Sequence, residues 1–273
     1  MTYYEICARL TAAGIENAEV DAAALLTHFC GVSAASLPYR RDENFDVAAL
    51  ESAVSRREAR YPLQYLIGIW GFCGQEYEVN EHTLIPRADT ELLVEEAVKL
   101  LPRGARFADL CTGSGCIAVS TLCMRPDMRA VAVDLFEETL AAARRNAARN
   151  GVSGRVEFLQ ADVLAPLPIE AGSLDAILSN PPYIRTEVVG TLAPELAFEP
   201  SAALDGGADG LDFYRAMLEE QAGLLKPGGM FLFEIGFDQS EDLRRLAAEH
   251  GWFCRIVRDL GGCDRMAVLE KDR

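Results

Sequence analysis

The feature that most constrains the fold is an alternation of short apolar runs and helical segments that begins after Pro102. The apolar runs predict seven strands, at residues 105–110, 129–134, 156–159, 174–179, 230–235, 253–258 and 265–269. The segments between them predict helices at residues 116–125, 137–149, 213–225 and 239–250. Strands that alternate with helices indicate an α/β fold, a Rossmann-like and mostly parallel sheet with helices on both faces. Ligands bind outside the carboxyl ends of such strands, so the residues that follow each strand are the candidate functional residues.

The first 61 residues have a different pattern. Apolar residues recur at helical spacing from Tyr3, and two further helical segments are predicted at residues 18–30 and 47–59. Residues 1–61 are therefore predicted to form a small helical bundle. A bundle of this size buries little surface by itself, so we expect it to pack on a neighbour or on a partner.

Residues 62–83 carry strand-forming side chains punctuated by glycines, which predicts a β-hairpin that links the bundle to a larger domain at residues 84–273. The larger domain begins with a helix that is predicted to run to about Leu101. Asp89 or Thr90 is suited to cap it, with Glu91 in the favourable first turn.

Composition disfavours several classes of protein. The net charge of −16, from 42 acidic and 26 basic residues, disfavours tight binding to a nucleic-acid backbone. No apolar run approaches the roughly 20 residues of a membrane span, and no signal peptide is visible at the N-terminus. The eight cysteines and three histidines show no zinc-ligand spacing, so no metal is expected. We expect a cytoplasmic protein with reduced cysteines.

A glycine loop joins the first predicted strand to the helix that follows. Gly113 and Gly115 allow a ligand to approach the backbone closely. This pattern alone is weak, since a tight turn between strand and helix has the same glycines. Ala118 is also tolerated in a dinucleotide-binding fingerprint, so the glycines by themselves do not exclude a nicotinamide cofactor.

Acidic residues follow three successive strands. Asp109 is suited to the cationic amino-acid end of a ligand, and Asp134 can accept both hydroxyls of a ribose. Asp162 can receive the amine of an adenine ring, with Val163 against the ring face. Each acid alone is more often a solvated loop residue or a helix cap. As an ordered set, the three acids favour S-adenosylmethionine.

The fourth strand ends in a loop that starts with Asn180 and contains two consecutive prolines. Prolines have a fixed φ and no N–H, so neither a strand nor a helix can continue and the loop is stiff. Asn180 Oδ1 and the Pro181 carbonyl can each accept one N–H of a planar NH2 group, Pro182 holds the geometry, and Tyr183 can stack on the acceptor. The chemistry selects amides or exocyclic amines of bases. The alternative is a rigid turn after a buried strand.

These motifs together resemble the peptide chain release factor glutamine methyltransferases. The resemblance also includes the segments PLQYLIG at 62–68, LIPRADTE at 84–91 and FEPSAALDGGADGL at 198–211. It implies methylation of the glutamine side-chain amide in the Gly-Gly-Gln motif of class I release factors. By position it implies that Asn180, Pro181, Pro182 and Tyr183 hold the glutamine and that the cofactor contacts are Cys111, Thr112, Gly113, Ser114, Gly115, Asp134 and Val163. Asn180 is expected to contact the cofactor as well as the glutamine.

Two departures from the family pattern stand out. Cys111 occupies a position that is usually glycine, which is expected to narrow the cofactor pocket slightly, and Ala88 replaces a usual proline. The sequence gives two alternatives for Arg87 and Glu91. They either face the active site or pair with each other at the start of a helix.

Two other functions are compatible with parts of this sequence. A methyltransferase of an exocyclic amine in RNA or DNA shares the loop at Asn180, but the acidic charge disfavours it. A scaffold without catalytic activity is weaker still, because the acids and the loop are intact. We expect the N-terminal bundle and the hairpin to dock the release factor, since they carry no other visible chemistry.

Overall fold

The computed structural model describes residues 1–271, in which the predicted α/β fold is confirmed. A seven-stranded sheet has the order β5-β4-β3-β6-β7-β9-β8. Its strands are β3 (Arg106–Leu110), β4 (Arg129–Asp134), β5 (Val156–Gln160), β6 (Leu174–Ser179), β7 (Leu225–Glu234), β8 (Phe253–Arg258) and β9 (Asp264–Glu270). The first five in spatial order are parallel, and β9 is antiparallel to both of its neighbours.

The central strands are buried on both faces of the sheet. Successive side chains of a strand point to opposite faces, so neighbouring residues belong to different hydrophobic clusters. Phe107 and Ala132 lie in one hydrophobic cluster, and their neighbours Ala108 and Val131 lie in another. Helices cover the sheet at α5 (Glu91–Leu100), α6 (Cys116–Met124), α7 (Glu137–Arg149), α9 (Asp212–Ala216) and α10 (Ser240–Glu249), and a short helix α8 spans Thr186–Val189. The continuous apolar runs of the sequence reflect this two-sided burial.

The helix predicted at residues 213–225 is interrupted in the structure. After α9, a π-helical turn spans Met217–Gln221 and a 3-10 turn spans Ala222–Leu224. The buried Gln221 amide donates from Nε2 to the carbonyl oxygens of Val163 at 3.2 Å and Ala165 at 2.8 Å. These tertiary hydrogen bonds hold the segment in a conformation that helical periodicity does not reveal.

Strand β7 begins five residues before the predicted start at 230. Leu225 pairs with Leu174, and the Lys226 ammonium bonds Asp175 Oδ2 at 2.7 Å. The pairing register shifts between Leu174 and Ala176, which accommodates the Pro227-Gly228 segment in the longer strand.

Residues 1–69 and 193–198 form one compact unit, and residues 70–192 and 199–271 belong to the other. The N-terminal unit contains α1 (Tyr3–Ala12), α2 (Ala18–Cys30), α3 (Ala48–Glu58) and α4 (Leu63–Ile67). Their apolar faces enclose a separate core around Ile6, Leu25 and Leu50. A buried ion pair joins Arg57 Nε to Asp21 Oδ2 at 2.7 Å, so this unit has its own polar as well as apolar interior.

The predicted hairpin is present, but it is shorter than expected. Strands β1 (Ile69–Phe72) and β2 (Gln75–Glu78) pair, whereas Leu63–Ile67 forms the helix α4. The connection is Cys73-Gly74, and both residues have positive φ, at 48° and 72°. Positive φ at both positions matches the right-handed twist of the strands in a two-residue hairpin loop.

Candidate active site

A cavity of about 430 Å³ lies at the carboxyl ends of four neighbouring strands. Cys111 and Gly113 line it after β3, Asp134 at the end of β4, and Asn180 after β6. The segment that follows β5 contributes Ala161, Asp162, Val163 and Leu164. The structure therefore brings together seven of the residues predicted from the sequence, which are Cys111, Gly113, Asp134, Asp162, Val163, Asn180 and Pro182.

The glycine loop is fixed by hydrogen bonds to the neighbouring strand. The Thr112 N–H donates to the Val133 carbonyl at 2.9 Å, and the Gly113 N–H donates to Asp134 Oδ2 at 3.0 Å. Gly115 has a φ of +79°, and a Cβ there would lie 3.1 Å from Ala143 Cβ. Both conformation and close packing therefore favour glycine at this position.

Asp109 lies behind the loop and does not line the cavity. It is fully buried, and its Oδ2 accepts hydrogen bonds from Thr112 Oγ1 at 2.6 Å and from the Ala118 N–H at 3.0 Å. Oδ1 has no partner among residues 1–271. Burial raises the pKa of Asp109 to about 7. In this structure the Asp109 side chain holds the glycine loop in place through these two hydrogen bonds.

Five other predicted residues also lie outside the cavity lining, of which four belong to the glycine loop or the proline pair and the fifth is Tyr183. Thr112 and Ser114 are buried within the loop, and Gly115 packs on α7. Pro181 is buried in the chain between Asn180 and Pro182, both of which line the cavity. These residues shape the backbone that the cavity presents.

Asp134 and Asp162 lie in different surroundings. Asp134 accepts from the Gly113 N–H and also from the Phe136 N–H at 3.2 Å, and burial raises its pKa. Asp162 Oδ1 accepts from the Leu164 N–H at 2.9 Å. Each carboxylate is thus oriented by a backbone N–H two residues further along the chain, which is a local device at a strand end.

Apolar residues that the sequence analysis did not single out complete this part of the cavity. Leu135, Phe136 and Leu164 line it and remain about half exposed. Leu135 and Phe136 are the two residues after Asp134, and Leu164 directly follows Val163. Apolar residues that closely follow an acid at a strand end were therefore the sequence signal that could have predicted these cavity walls.

The loop at Asn180 is anchored from both sides. Asn180 Nδ2 donates to Thr90 Oγ1 at 3.2 Å, so the amide oxygen stays available as an acceptor. Further along, Ile184 forms an isolated bridge with Asp205, and a Cβ on Gly206 would lie 2.7 Å from the Pro182 carbonyl oxygen. Asp205 and Gly206 thus pack directly on the proline loop, and Gly206 allows the close approach because it has no Cβ.

Tyr183 is not one of the residues that line the cavity. Its hydroxyl donates to Glu234 Oε1 at 3.3 Å, and its carbonyl accepts from Gln239 Nε2 at 3.1 Å. Burial raises the pKa of Tyr183. Instead of lying open toward an acceptor, the ring packs against the second hydrophobic cluster, which includes Tyr214 and Phe233.

Matches to known families and proteins account for almost the whole chain. The family model described as the PrmC N-terminal domain matches residues 4–68, and that of the methyltransferase small domain matches residues 87–207. The chain is 40% identical to a release factor glutamine methyltransferase of Moorella thermoacetica, over 96% of this chain and 94% of that protein. It is 39% identical to one of Caulobacter vibrioides, over 97% of this chain and 93% of that protein.

The chain belongs to the release factor glutamine methyltransferase family. The solved structure of a ribosomal protein L11 methylase from Lactobacillus delbrueckii subsp. bulgaricus has a TM-score of 0.50 at 19% identity. The match covers 68% of this chain and 81% of that chain. It supports the methyltransferase fold of the larger unit. Within residues 1–271, no helix is long and apolar enough to cross a membrane.

In this member of the release factor glutamine methyltransferase family, Arg87 and Glu91 have separate structural partners. Arg87 pairs with the buried Glu199, whose Oε2 also accepts from the Ile85 N–H at 3.0 Å. Glu91 Oε1 accepts from the Cys73 N–H at 2.6 Å in the hairpin turn. Neither Arg87 nor Glu91 lines the cavity, and they do not pair with each other at the helix start.

Proposed function

We propose that this protein transfers a methyl group from S-adenosylmethionine to the side-chain amide nitrogen of the glutamine in the Gly-Gly-Gln motif of peptide chain release factors. The main support for this proposal is that Asn180 lines the same cavity as Asp134 and Asp162. Its amide nitrogen is already bonded to Thr90, so the oxygen is the atom offered to a donor. An acceptor for N–H groups therefore stands beside a site with the features of a nucleoside pocket.

The residues of the cavity fit the cofactor. Asp134 would hold the ribose hydroxyls, and Asp162 would hold the adenine amine beside Val163 and the apolar walls at Leu135 and Phe136. The positively charged amino-acid end would be drawn toward Asp109, whose buried Oδ1 lacks a partner. When bound, S-adenosylmethionine supplies an electrophilic methyl group on a sulfonium.

The Asn180 loop can activate an amide nitrogen for methylation. The nitrogen lone pair of an amide is delocalised into the carbonyl, so the nitrogen is a poor nucleophile. Asn180 Oδ1 and the Pro181 carbonyl would each accept one N–H, which orients the nitrogen and stabilises the positive charge that develops on it. The methylated nitrogen is acidic and loses its proton readily, so no strong base is required.

The acceptor is inferred to be a protein rather than a nucleic acid. The N-terminal unit offers a second surface for a large substrate, and the two relatives named above align with it as well as with the catalytic unit. The net charge of −16 disfavours a nucleic-acid backbone. We assign docking of the release factor to the N-terminal bundle and the hairpin.

A competition between acceptors tests this function. The protein is incubated with radiolabelled S-adenosylmethionine and an equimolar mixture of unmodified release factor and total RNA. Label on the release factor, and none on the RNA, is the expected result. Label on RNA with none on the release factor would overturn the assignment and favour an exocyclic amine of a base.

A further inference from the structure

A buried glutamine connects three backbone segments at the carboxyl edge of the sheet. Gln239 directly precedes α10 and is 3% exposed. Its Nε2 donates to the Tyr183 carbonyl oxygen at 3.1 Å and to the Gly210 carbonyl oxygen at 3.1 Å, and its Oε1 accepts from the Gly236 N–H at 2.9 Å. Both N–H groups and the oxygen of the amide are therefore in use. A buried side chain that serves three backbone segments constrains their relative positions.

Two of these segments, residues 180–186 and 205–213, together form what we call the Asn180 wall of the cavity. The residues of this wall that line the cavity are Asn180, Pro182, Thr186, Asp205, Gly207, Asp212 and Phe213. Backbone hydrogen bonds join the two segments, since the Ile184 N–H donates to the Leu204 carbonyl at 2.9 Å and the Gly206 N–H donates to the Ile184 carbonyl at 2.8 Å. Gln239 adds a side-chain link between the same two segments.

The two segments of the Asn180 wall lie too close together for side chains between them. A Cβ on Gly206 would lie 2.7 Å from the Pro182 carbonyl oxygen, and one on Gly210 would collide with the Tyr183 carbonyl oxygen. Backbone that packs on backbone in this way leaves carbonyl oxygens that need donors. Gln239 supplies the donors for two of them.

The hydrogen bond from Gln239 to Tyr183 also constrains the Pro181 carbonyl. The two prolines have fixed φ, so the piece of chain from Asn180 to Tyr183 has few free torsions. The side-chain hydrogen bond of Asn180 anchors one end of this piece, and Gln239 anchors the other end. Because both ends are held, the Pro181 carbonyl between them has a defined orientation.

We propose that Gln239 is a positioning residue for methyl transfer, which holds the Asn180 wall in the arrangement that the acceptor amide requires. The inference rests on the proposed function, in which Asn180 Oδ1 and the Pro181 carbonyl accept the two N–H groups of that amide. Gln239 is not one of the residues that line the cavity, so it acts on the acceptor through the Tyr183 and Gly210 carbonyls. A misplacement of the acceptor by about 1 Å can slow a reaction by about 100-fold.

Gln221 provides a matched control for Gln239. It is also buried and also donates from Nε2 to two backbone carbonyl oxygens, but these belong to Val163 and Ala165 in the segment after β5. Val163 lines the part of the cavity that is assigned to the adenine. A general loss of stability would affect variants of the two glutamines alike, whereas positioning roles predict effects on different substrates.

The kinetic test compares Gln239→Met with Gln221→Met, because methionine has a similar length and cannot donate a hydrogen bond. Gln239→Met is expected to lower kcat/KM for the release factor by about 10- to 100-fold, with the Kd for S-adenosylmethionine within about twofold of wild type. Gln221→Met is expected to raise that Kd about fivefold or more, with kcat/KM for the release factor at saturating S-adenosylmethionine within about threefold of wild type.

Gly210→Ala is a second variant of the Asn180 wall, which leaves the Gln239 side chain in place and adds a Cβ against the Tyr183 carbonyl. It should show the same pattern as Gln239→Met, and it decides the question if Gln239→Met does not fold. An unchanged kcat/KM in the variants of this wall, or the same pattern in Gln239→Met and Gln221→Met, would overturn the proposal.

A substrate-free measurement separates this inference from the proposed function. Backbone amide hydrogen exchange is followed by mass spectrometry in the wild type and in Gln239→Met. Exchange in residues 184–186 and 204–210 should be about 10-fold faster or more in the variant, while exchange in β3 and β4 stays unchanged. This result supports the role of Gln239 in the Asn180 wall even if the release factor proves not to be the acceptor. Unchanged exchange in both segments refutes that role, whatever the acceptor is.

Discussion

The Gly113 backbone N–H donates to Asp134 Oδ2 at 3.0 Å, and this contact ties the loop after β3 to the acid at the end of β4. Parallel neighbouring strands bring the two features to the same edge, since Leu110 pairs with Val133. The same contact that fixes the glycine loop therefore orients a carboxylate into the cavity. If Asp134 holds the ribose as proposed, this one hydrogen bond couples cofactor binding to the conformation of the glycine loop.

Asp134→Ala should weaken S-adenosylmethionine binding by about 10- to 100-fold, because it removes a charged acceptor from the ribose and releases the Gly113 N–H. Isothermal titration calorimetry with S-adenosylmethionine measures the change in Kd. Asp42→Ala, which removes an exposed carboxylate from the N-terminal unit, is the matched control and should leave Kd unchanged. Equal Kd values in all three proteins would rule out a role for Asp134 in binding.

Cys111 has a φ of +58°, in the left-handed region that disfavours side chains with a Cβ. Cys111→Gly should be more stable than Cys111→Ala by about 1 kcal/mol, because glycine relieves the strain that alanine keeps. Urea unfolding of both variants measures the difference in the free energy of unfolding. If the alanine variant were equally or more stable, the position would carry no backbone strain.

Asp109 should make stability depend on pH. Its pKa is raised by burial to about 7 in the folded protein, from an ordinary value of about 3.9, so folding favours the protonated form. This contribution to stability is fully present below about pH 4 and is lost as pH rises through about 7. Asp109→Asn cannot ionise, and its free energy of unfolding should fall less than that of the wild type between about pH 5 and about pH 8.

The expected difference between the two falls is about 3 kcal/mol over that pH interval. Chemical denaturation at each pH measures it, and Asp42→Asn serves as the exposed control. Parallel pH profiles for Asp109→Asn and the wild type would mean that Asp109 does not titrate in this range.

Deletion of residues 1–61 should raise KM for the release factor by about 10-fold or more while KM for S-adenosylmethionine changes little, because docking contributes uniform binding energy. Steady-state kinetics with each substrate varied in turn measures both values. Circular dichroism of the truncated protein controls for folding of the remaining unit. Equal increases in both KM values would assign the bundle a structural role only.

The fold was predictable because buried parallel strands leave a strong mark on sequence. The limits of the parallel strands β4 and β6 match the predicted ranges, and most residues of both strands are apolar and buried. The π-helical turn at Met217–Gln221 was not predictable, because the Gln221 contacts that stabilise it come from residues more than fifty positions earlier. The local hydrophobic periodicity of a sequence does not predict such tertiary hydrogen bonds.

The residues of the candidate site could be predicted only where they directly follow a recognisable strand. Asn180 and Asp134 follow strands directly, so their shared edge could be inferred. The contact of Thr90 with Asn180 could not be predicted, since a threonine at the start of a helix is usually explained as a helix cap. Thr90 does occupy the predicted N-cap position, but its side chain makes no capping bond and instead accepts from Asn180.

The central claim is that the Asn180 loop holds a glutamine amide for methylation. Tandem mass spectrometry of the release factor after reaction should place one methyl group on the side-chain nitrogen of the Gly-Gly-Gln glutamine. Asn180→Ala should slow that reaction by about 100- to 1,000-fold while the Kd for S-adenosylmethionine stays within about twofold of wild type. A methyl group on another residue, or an Asn180→Ala variant that is fully active or no longer binds the cofactor, would contradict the claim.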